Sequence, residues 1–317
     1  MLPFSYVRAL FRHLVSQDVR FLDFDDLSFP TDIDISERSG LEKAYRREWR
    51  DYRRQRRDFA GCDILLMHDC DAGPWQTVRM CQFEAELGMT STAALFARRL
   101  HGKVRRDYSI DFAEMKRLQD EAGICIAYHC NAYHNAGRDV ELARQFFEDD
   151  IRQLEGKGFR IRHFSAHGSQ RFGDNTIYWP ALTPRRLIWT HNGMTPLGAA
   201  YSDSALPKSL AKSSRSPDLK AFLQAELTRG NRLFVHMHPQ YYFEETADAA
   251  EPFFAGNSWL EAVWNHHARG TMDEYWSGLT VRSLTFRGWL GRLDARRRWR
   301  RGLKRFQTIP TAPPPPA

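Results

Sequence analysis

Polar side chains that can bind a metal or move protons follow four short apolar runs of this chain. They are His68, Asp69 and Asp71 after the first run, His129 after the second, His167 after the third, and His236 and His238 after the last. Burying carboxylates and imidazoles costs free energy unless they are paired or bound to a metal. Two histidines and one carboxylate could hold a divalent ion and leave positions open for water and substrate. Such an ion would polarise an acyl carbonyl and lower the pKa of its bound water.

A second carboxylate and a further histidine beside the ion would complete a hydrolytic site. The carboxylate could remove a proton from water, and the histidine could protonate the leaving amine or alcohol. The chain offers both, because Asp69 and Asp71 lie two positions apart, as do His236 and His238. These residues could also have purely structural roles. Paired aspartates can start a turn, and His68 could cap its strand or form a hydrogen bond with Asp69.

The elements that must position these residues alternate along the chain. The predicted strands are 64–67, 91–96, 123–129, 160–166, 186–190 and 232–237. Helical segments of ten or more residues separate several of them, which predicts βα units and a parallel sheet or barrel. Functional residues of such folds lie at the carboxyl ends of the strands. We therefore expect the polar residues above to converge on one rim.

Residues that start and stop helices separate the predicted strands. Pro74 suits the first turn of a helix, and Gly88 suits its end. Asp111 begins a capping-box pattern before the next helix. A third helix is predicted over 139–154, with Leu142 among its inward residues.

Composition sets broad limits on the protein. The chain has 317 residues, of which 42% are hydrophobic, and its formal net charge is +7. The positive charge is concentrated in two runs, 46–57 and 282–305, outside the segments discussed above. No nucleic-acid-binding module is recognised, so we predict that nucleic acid is not a partner. A basic helix over 288–306 could contact an anionic membrane surface, and the proline-rich tail after it is predicted to be disordered.

The cysteines and the targeting segments of a sequence indicate the cellular compartment of the protein. The five cysteines show neither a CxxC pair nor a disulfide-like spacing, which is typical of a reducing environment. No secretory signal or transmembrane stretch is recognised. The sequence therefore predicts a cytoplasmic protein.

Four segments together resemble a known family. They are LLMHDCDAGPWQTVRMCQFEAELGMTSTAALF, GICIAYHC, FFEDDIRQLEGKGFRIRHFSAHGS and LFVHMHPQYY. In this order they resemble the motifs of the polysaccharide deacetylase superfamily (NodB homology, carbohydrate esterase family four), in the subgroup whose first motif reads HDVD. The resemblance covers about residues 63–242.

The resemblance implies an α/β fold, a distorted (β/α) barrel with helical N- and C-terminal extensions. The implied division is a helical extension over 1–60, a barrel domain over 61–280, and a basic helix with its tail over 281–317. It also implies a divalent metal, zinc in the first place and cobalt or nickel otherwise. The implied reaction removes acetyl groups from an acetylated carbohydrate, in the synthesis of a cell-surface glycan.

The resemblance assigns roles by motif position. Asp69 corresponds to the general base and Asp71 to the carboxylate ligand of the metal. His129 corresponds to the first histidine ligand, and its partner is His134 or His167. We favour His167, because the usual pattern has three residues between its two histidines, whereas His129 and His134 have four between them. His238 corresponds to the proton donor, with His236 as the second choice.

Two other functions remain open on the sequence. The altered second motif, with Cys130 where serine or threonine is usual, would suit a catalytically degenerate relative that binds a glycan without cleaving it. A metal-dependent hydrolase of a non-sugar amide, such as a cyclic amide, is the other alternative. His163 and His191 are interpreted as structural, although His191 could line the cleft. Cys70 and Cys130 flank the predicted site, and either thiolate is a minor candidate for a ligand.

Overall fold

The structure is a computed structural model of the full chain. The residues it describes are 2–17, 19–26, 39–41, 43, 44, 46, 47, 62–71, 73–101, 104–168, 174–183, 187–190, 199–202, 233–239 and 242–243. The chain divides into two compact units: Met1–Ala9, Asp203–Leu223 and Phe243–Ala317 form one, and Leu10–Ser202 and Gln224–Tyr242 form the other. No helix among the described residues is long and apolar enough to cross a lipid bilayer.

Helices and strands alternate along the described part of the chain. The helices are α1 (Phe4–Val15), α2 (Pro74–Glu86), α3 (Phe112–Glu121), α4 (Ala132–Asn135) and α5 (Val140–Gly156). The strands are β1 (Leu2–Pro3), β2 (Val19–Leu22), β3 (Cys62–Asp69), β4 (Thr92–Leu95), β5 (Arg98–His101), β6 (Val104–Asp107), β7 (Cys125–Cys130), β8 (His163–Ala166), β9 (Ile188–Thr190), β10 (Ala199–Ser202), β11 (Leu233–Met237) and β12 (Tyr242–Phe243).

One parallel sheet organises the unit formed by Leu10–Ser202 and Gln224–Tyr242. Its strand order is β10-β11-β3-β4-β7-β8-β9, and every neighbouring pair is parallel. Strand β3 pairs with β11 along one edge, and along the other with β2 over its first half and β4 over its second. The predicted α/β class with a parallel sheet is thus confirmed. Pairing that would close a barrel is not seen among the described strands, so the barrel stays a prediction.

Capping groups explain where the helices begin and end. Pro74 occupies the first turn of α2, and Gly88 just beyond its end has φ of 66°, a conformation that glycine adopts without steric cost. The Asp111 carboxylate accepts a hydrogen bond from the Glu114 N–H at 3.0 Å and caps α3. Asp139 caps α5 in the same way. These boundaries follow the sequence prediction closely.

The inward face of α5 differs from the prediction at Leu142. This side chain is 37% exposed, whereas Ala143, Phe147, Ile151 and Leu154 are fully buried. Those four positions are spaced by four, four and three residues, which is the stripe of a helix packed on one side. Leu142 lies one residue off that stripe and about 100° around the helix, so the prediction that it faces inward is wrong.

The two faces of the sheet carry different partners. One face packs against α2, α3 and α5 in the largest apolar cluster, through residues such as Ala93, Ile126 and Phe164. The other, here called the inner face, bears a smaller cluster that includes Leu65, Met67, Ala94, Ala127 and Phe234. Because side chains alternate between faces along a strand, the residues two positions further along β3, β7 and β11 also lie on the inner face.

A candidate metal and acid–base site

Strand alternation delivers the candidate residues to one place. Two positions beyond Met67, Ala127 and Phe234 on their strands stand Asp69, His129 and His236, all at the carboxyl ends. The polar side chains therefore continue the apolar inner face at the rim, as the sequence predicts for a parallel sheet.

The sheet curls around this face. Ser165 on β8 donates a hydrogen bond to Asp69 on β3, with 3.4 Å between Ser165 Oγ and Asp69 Oδ1. Strands β4 and β7 lie between them in the sheet, so a flat sheet would hold β3 and β8 about 14 Å apart. The short contact requires strong curvature towards the inner face, which brings side chains from distant strands together.

Asp71, His129 and His167 form the first of two clusters. Asp71 Oδ1 lies 2.8 Å from His129 Nε2 and 3.0 Å from His167 Nδ1. The two ring nitrogens are 3.1 Å apart. One oxygen and two nitrogens thus converge on a single point from three different segments of the chain.

The donor set and its spacing suit a divalent ion. Ligand atoms at about 2.1 Å from an ion lie about 3.0 to 3.4 Å from one another, depending on whether the arrangement is octahedral or tetrahedral. The three distances between Asp71, His129 and His167, which are 2.8, 3.0 and 3.1 Å, lie close to the lower end of this range. The residues offer two imidazoles and a carboxylate, and they leave positions free for water and substrate.

Aromatic and cationic neighbours hold this cluster in place. The Phe96 ring contacts the rings of His129 and His167, with centroids 4.7 Å and 5.1 Å away. Arg99 lies over the same ring, at 5.3 Å from its centroid, and donates a hydrogen bond to the backbone oxygen of Asp71 at 2.6 Å. Packing and the hydrogen bond together restrict the rotamers and the backbone of the cluster.

Asp69, His236 and His238 form the second cluster beside the first. His236 Nε2 lies 2.9 Å from Asp69 Oδ2, and the rings of His236 and His238 have centroids 4.6 Å apart. All three residues are at most 7% exposed. The structure therefore brings the predicted base close to both candidate proton donors, and His236 is the one in direct contact with it.

His129 joins the two clusters. Its Nε2 faces Asp71, and its Nδ1 lies 3.7 Å from Asp69 Oδ1. A histidine that binds a metal through one nitrogen usually directs the other to a carboxylate or carbonyl, which fixes its orientation. A small movement of Asp69 towards His129 would let its carboxylate accept a hydrogen bond from His129 Nδ1.

Opposing influences act on the pKa values of these carboxyls. Burial raises the pKa of Asp69, but the charges of His129 and His236 and the hydrogen bond from His236 outweigh it and hold the pKa below its usual range. Burial also raises the pKa of Asp71, but the charge of His167 and the hydrogen bonds from His129 and His167 outweigh it and hold the pKa well below its usual value. For His129, burial lowers the pKa, but the charges of Asp69 and Asp71 raise it overall. Both carboxylates are thus held ionised.

His134 lies near this site but outside the first cluster. It is carried by α4, whose first turn is fixed by Asp174, since the backbone N–H groups of Tyr133 and His134 donate to the Asp174 carboxylate. Burial lowers the pKa of His134, and the charge of His167 lowers it further. The structure thus gathers His167, and not His134, with Asp71 and His129.

His68 does not form a hydrogen bond with Asp69, so the sequence interpretation that it positions this carboxylate is wrong. It points to the opposite face of β3, where His68 Nε2 lies 2.6 Å from Glu84 Oε1. Ser91 Oγ donates to the other oxygen of Glu84 at 2.6 Å, and all three residues are fully buried. Consecutive residues of a strand face opposite ways, so His68 and Asp69 cannot share a partner.

Other candidates lie away from the site or outside the described residues. Cys70 and Cys130 are buried in the large apolar cluster on the helix-covered side of the sheet. His191 is outside the described residues, as are the predicted basic helix over 288–306, most of the basic run over 46–57 and the proline-rich tail.

Three residues near the site were missed by sequence reasoning. Ser165 could have been found, because it stands two positions before His167 and alternation places both on one face. Arg99 and Asp174 could not, since each reaches the site region from a segment whose path depends on the tertiary structure.

No family model matches this chain, and no curated protein matches it significantly. Among solved structures, one of a Streptococcus mutans CE4 esterase is similar to it at 15% sequence identity and a TM-score of 0.37. The alignment covers 69% of this chain and 87% of that chain. A similarity of this size carries no argument about function, which has to rest on the side chains described above.

Proposed function

We propose that this protein is a metal-dependent hydrolase that removes acetyl groups from an acetylated carbohydrate. The observation that carries the proposal is the pair of clusters that meet at His129: Asp71, His129 and His167 on one side, Asp69 with two histidines on the other. One cluster suits a divalent ion, zinc in the first place, and the other suits proton transfer. Hydrolysis of an acyl bond needs both at neighbouring positions.

Asp71, His129 and His167 would hold the ion, which when bound supplies a Lewis acid for the acyl oxygen and a water of lowered pKa. Asp69 acts as the base, because its ionised carboxylate lies beside the cluster and can accept a proton from water at Oδ1. His236 stabilises that carboxylate from the other oxygen. His238 follows the end of β11, two residues beyond His236, and donates a proton to the leaving group.

Resemblance of the four sequence segments supports the acetylated-carbohydrate substrate, and the side-chain geometry supports only the class of reaction. Hydrolysis of a non-sugar amide would use the same groups in the same roles. A catalytically degenerate protein that binds glycan is disfavoured, because such a protein would have no need to keep both clusters with their polar atoms this close.

Metal content and hydrolysis test the proposal. We expect Asp71→Ala and His129→Ala each to lower the metal content by one ion per chain and to abolish deacetylation. His134→Ala is the matched control, since it alters a nearby histidine outside the cluster and should keep the ion. A panel of N-acetylated sugars, O-acetylated sugars and cyclic amides then separates the substrate classes. If Asp71→Ala retained both the ion and hydrolysis, the proposal would be wrong.

A further inference from the structure

A second group of potential ligands lies at the other end of the inner face. Cys125 is the first residue of β7, and His163 is the first residue of β8. Each lies four positions before a residue of the first cluster, His129 and His167, which corresponds to about 13 Å of extended strand. Because side chains alternate between faces, both side chains lie on the inner face. They are at the amino ends of the strands, and the apolar layer separates them from the first cluster at the carboxyl ends.

Asp25 completes the group from a third segment. It belongs to the turn that follows β2, and Phe24 in this turn donates its N–H to Thr92 Oγ1 at 3.0 Å. That hydrogen bond fixes the turn against the start of β4, close to Cys125 and His163. The ring of Phe24 also contacts the ring of His163, with centroids 5.8 Å apart.

We propose that Asp25, Cys125 and His163 form a second, structural metal site for a thiolate-binding ion of the zinc type. His163 Nδ1 lies 3.7 Å from Cys125 Sγ and 3.6 Å from Asp25 Oδ1, and the three ligand atoms lie within 4.8 Å of one another. Around a tetrahedral zinc ion, a thiolate and an imidazole nitrogen lie about 3.6 Å apart, and a nitrogen and a carboxylate oxygen about 3.4 Å apart. The observed distances match these edges.

The distances within the group leave room for an ion between the three atoms. At 3.6 Å, the nitrogen of His163 and the oxygen of Asp25 are farther apart than in a good hydrogen bond. The sulfur of Cys125 and His163 Nδ1 form a weak hydrogen bond at 3.7 Å, which bonds to an ion would replace.

The charges of this turn also favour a cation. Asp23, Asp25 and Asp26 are close together, and Asp23 is only 6% exposed. The Asp23 carboxylate accepts hydrogen bonds from the backbone N–H groups of Asp25 and Asp26, at 2.7 Å and 3.0 Å. Arg162 reaches Asp25 Oδ1 at 3.5 Å, but its side chain is 65% exposed and can move aside. A bound cation would offset the negative charge of this turn.

The imidazole nitrogen of His163 and the sulfur of Cys125 belong to buried side chains, and an ion that binds there would displace the proton of the thiol. Asp25 is 38% exposed and gives the ion a path from solvent.

Cobalt absorption distinguishes this site from the first cluster, which contains no sulfur. We expect the metal-free full-length protein to develop a thiolate-to-Co²⁺ charge-transfer band in the near ultraviolet when Co²⁺ is added. Asp71→Ala should keep the band, so failure of the proposed hydrolytic site would not affect it. Cys125→Ser should lose the band, whereas Cys81→Ser, a matched change of a buried cysteine elsewhere, should keep it.

Asp25→Asn provides a second test that does not disturb the core. It should keep the band and weaken Co²⁺ binding at least tenfold, because a neutral amide replaces the charged ligand at a partly exposed position. Three results would overturn the proposal. They are absence of the band in the wild type at saturating Co²⁺, persistence of the band in Cys125→Ser, and unchanged Co²⁺ affinity in Asp25→Asn.

Discussion

Replacing Glu84 tests the buried network that ties β3 to α2. Glu84 accepts from Ser91 Oγ and contacts His68 Nε2, each at 2.6 Å, and no member of the network is exposed. In Glu84→Ala, both partners lose this side-chain contact in a place from which water is excluded. Leaving such groups unsatisfied costs about 1 to 3 kcal/mol each. With two groups left unsatisfied, we expect Glu84→Ala to lower the free energy of unfolding by about 2 to 6 kcal/mol.

Glu84→Gln separates loss of charge from loss of the hydrogen bonds. The amide oxygen can accept from His68, and the amide N–H can donate to the Ser91 hydroxyl, which rotates to accept. The network then stays satisfied without a charge, and we expect a loss of only about 1 kcal/mol. Glu86→Ala, at an exposed position of the same helix, should change the stability by less than about 0.5 kcal/mol.

Urea unfolding followed by circular dichroism measures all three variants, provided that the metal content is fixed by saturation. A loss below about 1 kcal/mol for Glu84→Ala would show that the network does not hold the strand. Equal losses for the alanine and glutamine variants would also refute the reasoning, because they would place the whole effect in the charge.

Three further predictions concern pH, metal and helix capping. Burial raises the pKa of Asp174 from 3.8 to about 7, so the folded protein binds a proton that the unfolded chain has already lost. This carboxyl therefore lowers stability as the pH rises from 4 to 7, by up to about 4 kcal/mol, and Asp174→Asn should remove that part of the pH dependence in urea titrations. Removing metal with a chelator should lower Tm, because an ion at 100 times its Kd adds about 2.7 kcal/mol, and calorimetry with and without zinc checks this. Asp139→Ala should cost about 1 kcal/mol in urea unfolding and Asp139→Asn almost nothing, because only alanine removes the acceptor for the Leu142 N–H.

Much of the fold was accessible from local sequence signals. Pro74, Gly88 and Asp111 mark helix ends through backbone geometry that needs no tertiary contact, and the structure has them at those ends. The apolar runs before His129 and Asp69 are strands for the same reason, since a buried parallel strand reads as a continuous apolar segment. The parallel sheet follows from their alternation with helices.

The contacts across the chain were not accessible. The strands β5 and β6 carry one apolar residue each, and β2 is only four residues long, so nothing in their pattern distinguishes them from loops. His163 was interpreted as structural because its two potential co-ligands, Asp25 and Cys125, are distant in sequence. Only curvature of the sheet and the turn after β2 bring such residues within a few ångströms.

The pleat explains why two groups of ligands can share a single surface. Along β7, Cys125, Ala127 and His129 face the same way, and the residues between them pack against helices. A one-residue shift of β7 against β4 would turn all three to the helix side and present Ile126, Tyr128 and Cys130 instead. Both groups would be lost together, although no ligand had been replaced. The correct register of β7 is therefore required for metal binding by either group. The apolar residues that face the helices fix this register, so they matter for function as much as the ligands do.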